Sequence, residues 1–228
     1  MMSRTPRQIF QDAGYSVRYC AGEADTAAIY AIEFDEFGDR AAPLDRITGL
    51  WKHYPDCFFV LTEGDTVIGN LRIWPVADDI ADGFQEGIIG NAGLEFRLTT
   101  AEVKARKHAR WSIGSLAIHK DYRLGRKSNP VPLLLAFALN EWADSGMVAY
   151  PVEIMTTANS AGGRNLMSRF GFVEERSAEQ MVDGRALYVK RADNKNELFS
   201  AFGNRGIASL TDLLAASATQ DSAGEVAE

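Results

Sequence analysis

Cysteine is scarce in this chain. Only Cys20 and Cys57 occur among 228 residues, and neither stands in a spacing that would hold a metal. A disulfide scaffold is excluded, and the two read as reduced, buried thiols. No metal is expected. Excess positive charge is also missing. Twenty-four Lys and Arg against 31 Asp and Glu leave a net charge of −7, the wrong sign for general nucleic-acid binding. Long apolar runs are absent too. The longest, Val131 to Leu139, falls well short of the ~18 residues a membrane span requires and suits a buried helix face. Arg4 and Arg7 near the N-terminus are not followed by the apolar core of a signal peptide. The expectation is a cytoplasmic protein with neither membrane nor nucleic acid as partner.

What is present is a sizeable core. Hydrophobic residues make up 46 % of the chain, enough for one domain with small appendages. Residues 1–14 read as an arm, 15–192 as the domain, 193–216 as a helical appendage and 217–228 as a polar, disordered tail. Tyr15 to Cys20 alternates as a first strand, and Glu23 to Phe37 has apolar residues near helical spacing. Asp45 to Tyr54 reads as a second helix. Cys57 to Thr62 and Val67 to Val76 form a hairpin around Glu63-Gly64-Asp65. Ala77 to Gly93 lacks a pattern and is expected to be a loop, with a short strand at Leu94 to Leu98. Thr99 or Thr100 would cap a short helix over Ala101 to His108. Trp111 to Ile118 is a central strand, and the helix after it runs to about Ser145, with Gly146 ending it. Val152 to Thr157 is a strand, and Asn159 to Phe170 a helix capped by Asn159 or Ser160. Phe172 to Met181 and Arg185 to Lys190 would close a hairpin at Asp183-Gly184. The order implies an α/β (α+β) fold, with a mixed, mostly antiparallel central sheet flanked by helices.

The stretch between the central strand and its helix is the most informative one. Arg123, Gly125, Arg126, Lys127 and Ser128 form a basic turn that opens a helix, where free N–H groups and the positive dipole end favour phosphate. Arg and Lys add attraction and direct hydrogen bonds. A nucleotide P-loop is ruled out, because Arg126 stands where its second glycine belongs. A solvated basic loop and the pyrophosphate loop of an acyltransferase remain. Elsewhere, Arg72 in the middle of a strand either faces solvent or points into a cleft to meet an anion. Glu33, Asp35 and Glu36 form an acidic cluster that is read as the wet face of a helix, with catalysis as the other reading.

Two motifs resemble the GCN5-related N-acetyltransferase (GNAT) superfamily. One is Ser115-Leu116-Ala117-Ile118-His119-Lys120-Asp121-Tyr122-Arg123-Leu124-Gly125-Arg126, similar to the family's central strand and acyl-carrier loop. The other runs from Asn159-Ser160 through Leu166-Met167-Ser168-Arg169-Phe170-Gly171-Phe172. The hairpin ending in Val67 to Arg72 also fits, and the resemblance covers roughly Tyr15 to Arg191. It implies a GNAT-like acyl-CoA N-acyltransferase fold, with acetyl-CoA or another acyl-CoA as co-substrate and a small-molecule or protein amine as acceptor. The backbone at Leu116, Ala117 and Ile118, in a strand splayed from its neighbour, would bind the pantetheine arm. Arg123, Gly125, Arg126, Lys127 and Ser128 would cradle the pyrophosphate, and Asn159 would touch the donor. Arg72 is the candidate substrate-binding residue.

The motif also has departures. The family's tyrosine acid falls on Met167, which cannot donate a proton, and its central-strand carboxylate falls on Ser112. Glu95 and Glu153 are left as candidate bases, with a structural role weighed against each. His119 reads as a loop residue, and His53 and His108 as surface or core fillers. Weaker similarity to the acyl-homoserine-lactone and N-acyl-amino-acid synthase branch brings in a longer acyl chain and an acyl carrier protein donor. A non-catalytic binding protein of the same fold is the alternative from another class. A homodimer is left open.

Overall fold

The computed structural model describes residues 14–94, 98–105, 107–122, 130–158 and 160–198. The expected arm, the tail and most of the appendage lie outside these residues. So do Glu95, Asn159 and all five residues of the basic turn, Arg123, Gly125, Arg126, Lys127 and Ser128.

The described residues form one seven-stranded sheet. The strands are β1 (Tyr15–Tyr19), β2 (Phe58–Glu63), β3 (Thr66–Pro75), β4 (His108–Ile118), β5 (Val148–Ala158), β6 (Val173–Arg176) and β7 (Ala186–Ala192). Their spatial order is β1-β2-β3-β4-β5-β7-β6. Every neighbouring pair is antiparallel except β4 and β5, which run parallel. A parallel pair needs a crossover, and this one contains α5 (Pro130–Asp144). The other helices are α1 (Glu23–Phe37), α2 (Leu44–His53), α3 (Asp78–Gln85), α4 (Thr100–Ala105), α6 (Ala161–Arg169) and the single turn α7 (Lys195–Leu198). No described helix is long and apolar enough to cross a membrane.

Local chemistry explains most of these bounds. The β2–β3 hairpin turns at Gly64, whose φ of 55° suits a residue without a Cβ. Gly146 follows α5 at φ 79°. Thr99 and Glu102 form a reciprocal cap at α4. The Thr99 hydroxyl accepts from the Glu102 amide at 3.2 Å, and the Glu102 carboxylate accepts from the Thr99 amide at 2.8 Å. At α6 the cap is Ser160, whose hydroxyl accepts from the Gly163 amide at 3.0 Å.

Two expectations are corrected. The stretch read as a loop over 77–93 contains α3, which buries Ile80, Ala81 and Phe84 on one stripe and carries Asp78 and Asp79 at its dipole-positive end. Leu94 closes a short 3-10 turn, Asn91–Leu94, and residues 95–97 of the strand expected over Leu94 to Leu98 lie outside the described residues. β6 stops at Arg176, and a 3-10 turn, Ala178–Gln180, occupies the rest of the expected strand. There the Ser177 amide donates to the Gln180 side chain at 2.9 Å.

The core lies on both sheet faces. On one, Trp111 of β4 meets Trp142 of α5 edge to face, with ring centroids 5.0 Å apart. On the other, α1 packs over β3 and buries Ile29, Ile32 and, unexpectedly, Glu33. Cys20 and Cys57 are buried, free thiols. Burial raises both, Cys20 to about 11.

Candidate functional site

β4 is held differently along its two edges. Its ladder with β3 runs to Gly69↔Ile118 at the end of the strand. Its parallel ladder with β5 ends at Ile113↔Thr156, five residues earlier. The Thr156 hydroxyl donates to the Ile113 carbonyl at 3.0 Å at that last pair. From there, among the described residues, β5 pairs only with β7, through Thr157↔Leu187 and Ala158↔Ala186. A splay therefore opens between β4 and β5, and Leu116, Ala117 and Ile118 lie on its β4 side. Backbone groups on such an edge are obligatory hydrogen-bonding groups that an extended ligand can satisfy.

A bulge marks the apex. Arg72 pairs with Ser115 and Ile73 with Ile113, so Gly114 is the extra residue on β4. The Trp74 ring covers it so closely that a Cβ at position 114 would lie 1.7 Å from Trp74 Cη2.

Facing α1 at this level is a buried polar cluster. Glu33 accepts from Asn70 Nδ2 at 2.8 Å and from Arg72 Nη2 at 2.9 and 2.8 Å. Glu33 is 1 % exposed and Arg72 4 %. The Arg72 guanidinium also stands over the Phe58 ring, 5.8 Å from its centroid. Arg72 thus does not face solvent; its counter-charge is Glu33. Glu33 in turn is not on a wet helix face. It follows Ile29 by four residues and lies on the buried stripe of α1.

The sequence offered one signal for this cluster. Asn70 and Arg72 are two residues apart in an otherwise apolar strand, so they share a face. A buried arginine needs an acid.

The other candidates fall elsewhere. Glu153 is opposite Arg110 on the closed part of the ladder. Its carboxylate lies 3.3 Å from Arg110 Nε and 2.7 Å from Arg191 Nη2, which ties β4, β5 and β7 together. Ser112 is fully buried, and Met167 is buried in α6. His119 follows β4 and is half-buried, 3.7 Å from Asp121. His108 is buried edge-on to Trp111, and His53 Nε2 is 2.9 Å from the Leu98 carbonyl. Lys190 of β7 is buried and donates to the Phe170 carbonyl at the end of α6, at 2.6 Å. Burial pushes its ammonium down to about 8. Among the described residues no group of His, Cys, Asp and Glu could hold a metal ion.

No family model and no curated protein matches the chain. Solved structures do. The loading GNATL domain of CurA from Lyngbya majuscula aligns at a TM-score of 0.58 and 11 % identity, over 78 % of this chain and 97 % of that one. A GNAT-like decarboxylase, GphF, solved with isobutyryl-CoA, aligns at 0.56 and 15 %, over 77 % and 98 %. Diaminobutyrate acetyltransferase EctA from Paenibacillus lautus, solved with L-2,4-diaminobutyric acid and coenzyme A, aligns at 0.50 and 12 %, over 78 % and 95 %. With its sheet order, its one parallel pair and the splay beside it, the chain has the fold of the GCN5-related N-acetyltransferases.

Proposed function

We propose that the chain is an N-acyltransferase that moves an acyl group, acetyl in the leading reading, from a CoA thioester to an amine. The observation that carries this is the β4–β5 splay: the ladder with β5 ends at Ile113↔Thr156, while β4 continues along β3 through Leu116, Ala117 and Ile118. The pantetheine arm would add itself there as a short strand. Its pyrophosphate would lie in the basic turn, with Arg123, Arg126 and Lys127 supplying charge and Gly125 and Ser128 close backbone approach, ahead of α5. Asn159, just beyond β5, would touch the donor from the other side. Solved structures of the same fold with isobutyryl-CoA and with coenzyme A support the choice of thioester.

The chemistry is direct attack. The amine nitrogen adds to the thioester carbonyl, and backbone N–H groups at the splay stabilise the oxyanion. The carbon–sulfur bond then breaks, and the sulfur leaves as a thiolate that takes up a proton. A base removes the proton from the attacking amine. Glu95 is the candidate from sequence. Glu153, bridged to two arginines, is assigned to holding strands together. Met167 cannot supply the proton to sulfur, so that proton would come from solvent.

The missing acid and the serine at 112 favour the second reading, a binding protein of this fold without catalysis. Titration of CoA into wild type, Arg126→Ala and Lys127→Ala tests the donor site. Wild type is expected to bind at least tenfold more tightly than either variant; equal binding would remove the phosphate-loop reading. Release of free thiol from acetyl-CoA in the presence of amines then separates an enzyme from a binding protein. A response only to longer acyl-CoA, or only to an acyl carrier protein, would move the donor to the synthase-like alternative.

A further inference from the structure

The polar cluster beside the splay is only partly used by its own members. Arg72 commits Nη2 to Glu33, while its Nε and Nη1 have no hydrogen-bond partner. Trp74 Nε1, the hydroxyls of Ser112 and Ser115 and Asn70 Oδ1 are likewise buried without one. These atoms belong to two adjacent strands. Ser115 stands opposite Arg72, and Ser112 opposite Trp74. The bulge at Gly114 is what brings both serines to bear on β3 from one short stretch of β4.

The inventory is lopsided. Arg72 and Trp74 offer only donors there, and the serines can donate; Asn70 Oδ1 is the one committed acceptor. Buried donors left unmade are costly, and native structures satisfy them. A group that completes this set must bring oxygen acceptors. Its location matters as well: Ser115 immediately precedes the Leu116–Ile118 edge, at the apex where the β4–β5 ladder closes.

We infer that Arg72, Ser115, Ser112 and Trp74 form a subsite for a carboxylate carried by one of the reactants, with Glu33 and Asn70 holding the guanidinium in place. The inference rests on the acyl-transfer reading of the splay. Two sources present this chemistry at the reacting end: the carboxylate of an amino-acid acceptor, or the distal carboxylate of a dicarboxylic acyl thioester. Arg72 and Ser115 contact the carboxylate; Glu33 is a positioning residue that fixes which guanidinium donors stay open.

The test uses the full chain and begins with CoA itself, by calorimetric titration. One arm compares succinyl-CoA with butyryl-CoA, which match in length and differ in the terminal carboxylate. The other measures kcat/KM for acetyl transfer to the twenty amino acids against their amides. A preference of tenfold or more for the carboxylate member is expected in one arm, and the arm identifies the source. Ser115→Ala removes a hydroxyl without a partner, so it is expected to fold with an unchanged Tm while reducing that preference to less than threefold. Arg72→Lys, which keeps a charge for Glu33, is expected to lose it too, through KM or Kd. CoA bound without a carboxylate preference in either arm would overturn the inference and leave the acyl-transfer reading standing. No binding of CoA or of either acyl-CoA would overturn the CoA-dependent reading of the splay and this inference with it.

Discussion

Single residues carry the tightest constraints. The Glu33–Arg72 pair is buried to 1 % and 4 % exposure. Removing one partner strands a charge in the core, which costs about 3–5 kcal/mol. Glu33→Leu or Arg72→Met alone is therefore expected to lower unfolding free energy by that amount. The double variant Glu33→Leu/Arg72→Met should recover most of it, and urea denaturation of all four proteins checks the cycle. Lys190 makes a different kind of statement. Its folded pKa is near 8 against an ordinary 10.5, so above pH 8 the unfolded chain holds more protons than the folded one. Stability from this group is lowest below pH 8 and rises as pH climbs toward 10.5. Compared with Lys190→Met, wild type is expected to gain stability between pH 8 and pH 10; a flat difference would count against a buried, depressed lysine. Residues of this kind were hard to read from sequence. Glu33 sits beside Asp35 and Glu36 and looks solvated, because its partners lie 37 and 39 positions away. Arg72 was legible as a residue that points either outward or toward an anion, and its partner turned out to be a carboxylate of the chain itself.

At the scale of elements, local signals set most boundaries. The β2–β3 hairpin was readable because a Gly-Asp turn separates two β-branched and aromatic runs. α6 was readable because Ser160 caps it and Gly171, at φ 76°, follows it. Ser160→Ala is expected to cost about 1 kcal/mol, measurable by thermal unfolding. α3 is hard to read from sequence because its buried stripe is only three residues long and the rest of it is polar, with three aspartates and a glycine. β4 begins three residues earlier than expected, since His108, Ala109 and Arg110 carry no β pattern and are fixed by Met147, β5 and neighbouring carboxylates. The bulge at Gly114 leaves no sequence signature beyond a glycine in a strand. Its physical demand is clear in the fold. Gly114→Ala puts a methyl into the Trp74 ring and is expected to destabilise by roughly 2–3 kcal/mol or more. Gly114→Ala/Trp74→Leu should recover part of the loss; if the single variant is as stable as wild type, the close approach is wrong.

For the whole molecule, element order was enough to anticipate a mixed, mostly antiparallel sheet, and the structure has it. The splay was implied by resemblance alone, because hydrophobic periodicity says which residues are buried and not where a ladder ends. That splay, β4 running on with β3 after β5 has left it, is the feature on which the proposed function rests. The most direct measurement is thermal unfolding of the full chain with CoA, acetyl-CoA and a longer acyl-CoA. A ligand that binds only the folded state at ~100 times its Kd adds ~2.7 kcal/mol, roughly 5–10 °C for a chain of this length. A rise of that size with acetyl-CoA is expected. No rise with any of the three would contradict a CoA thioester bound at the splay.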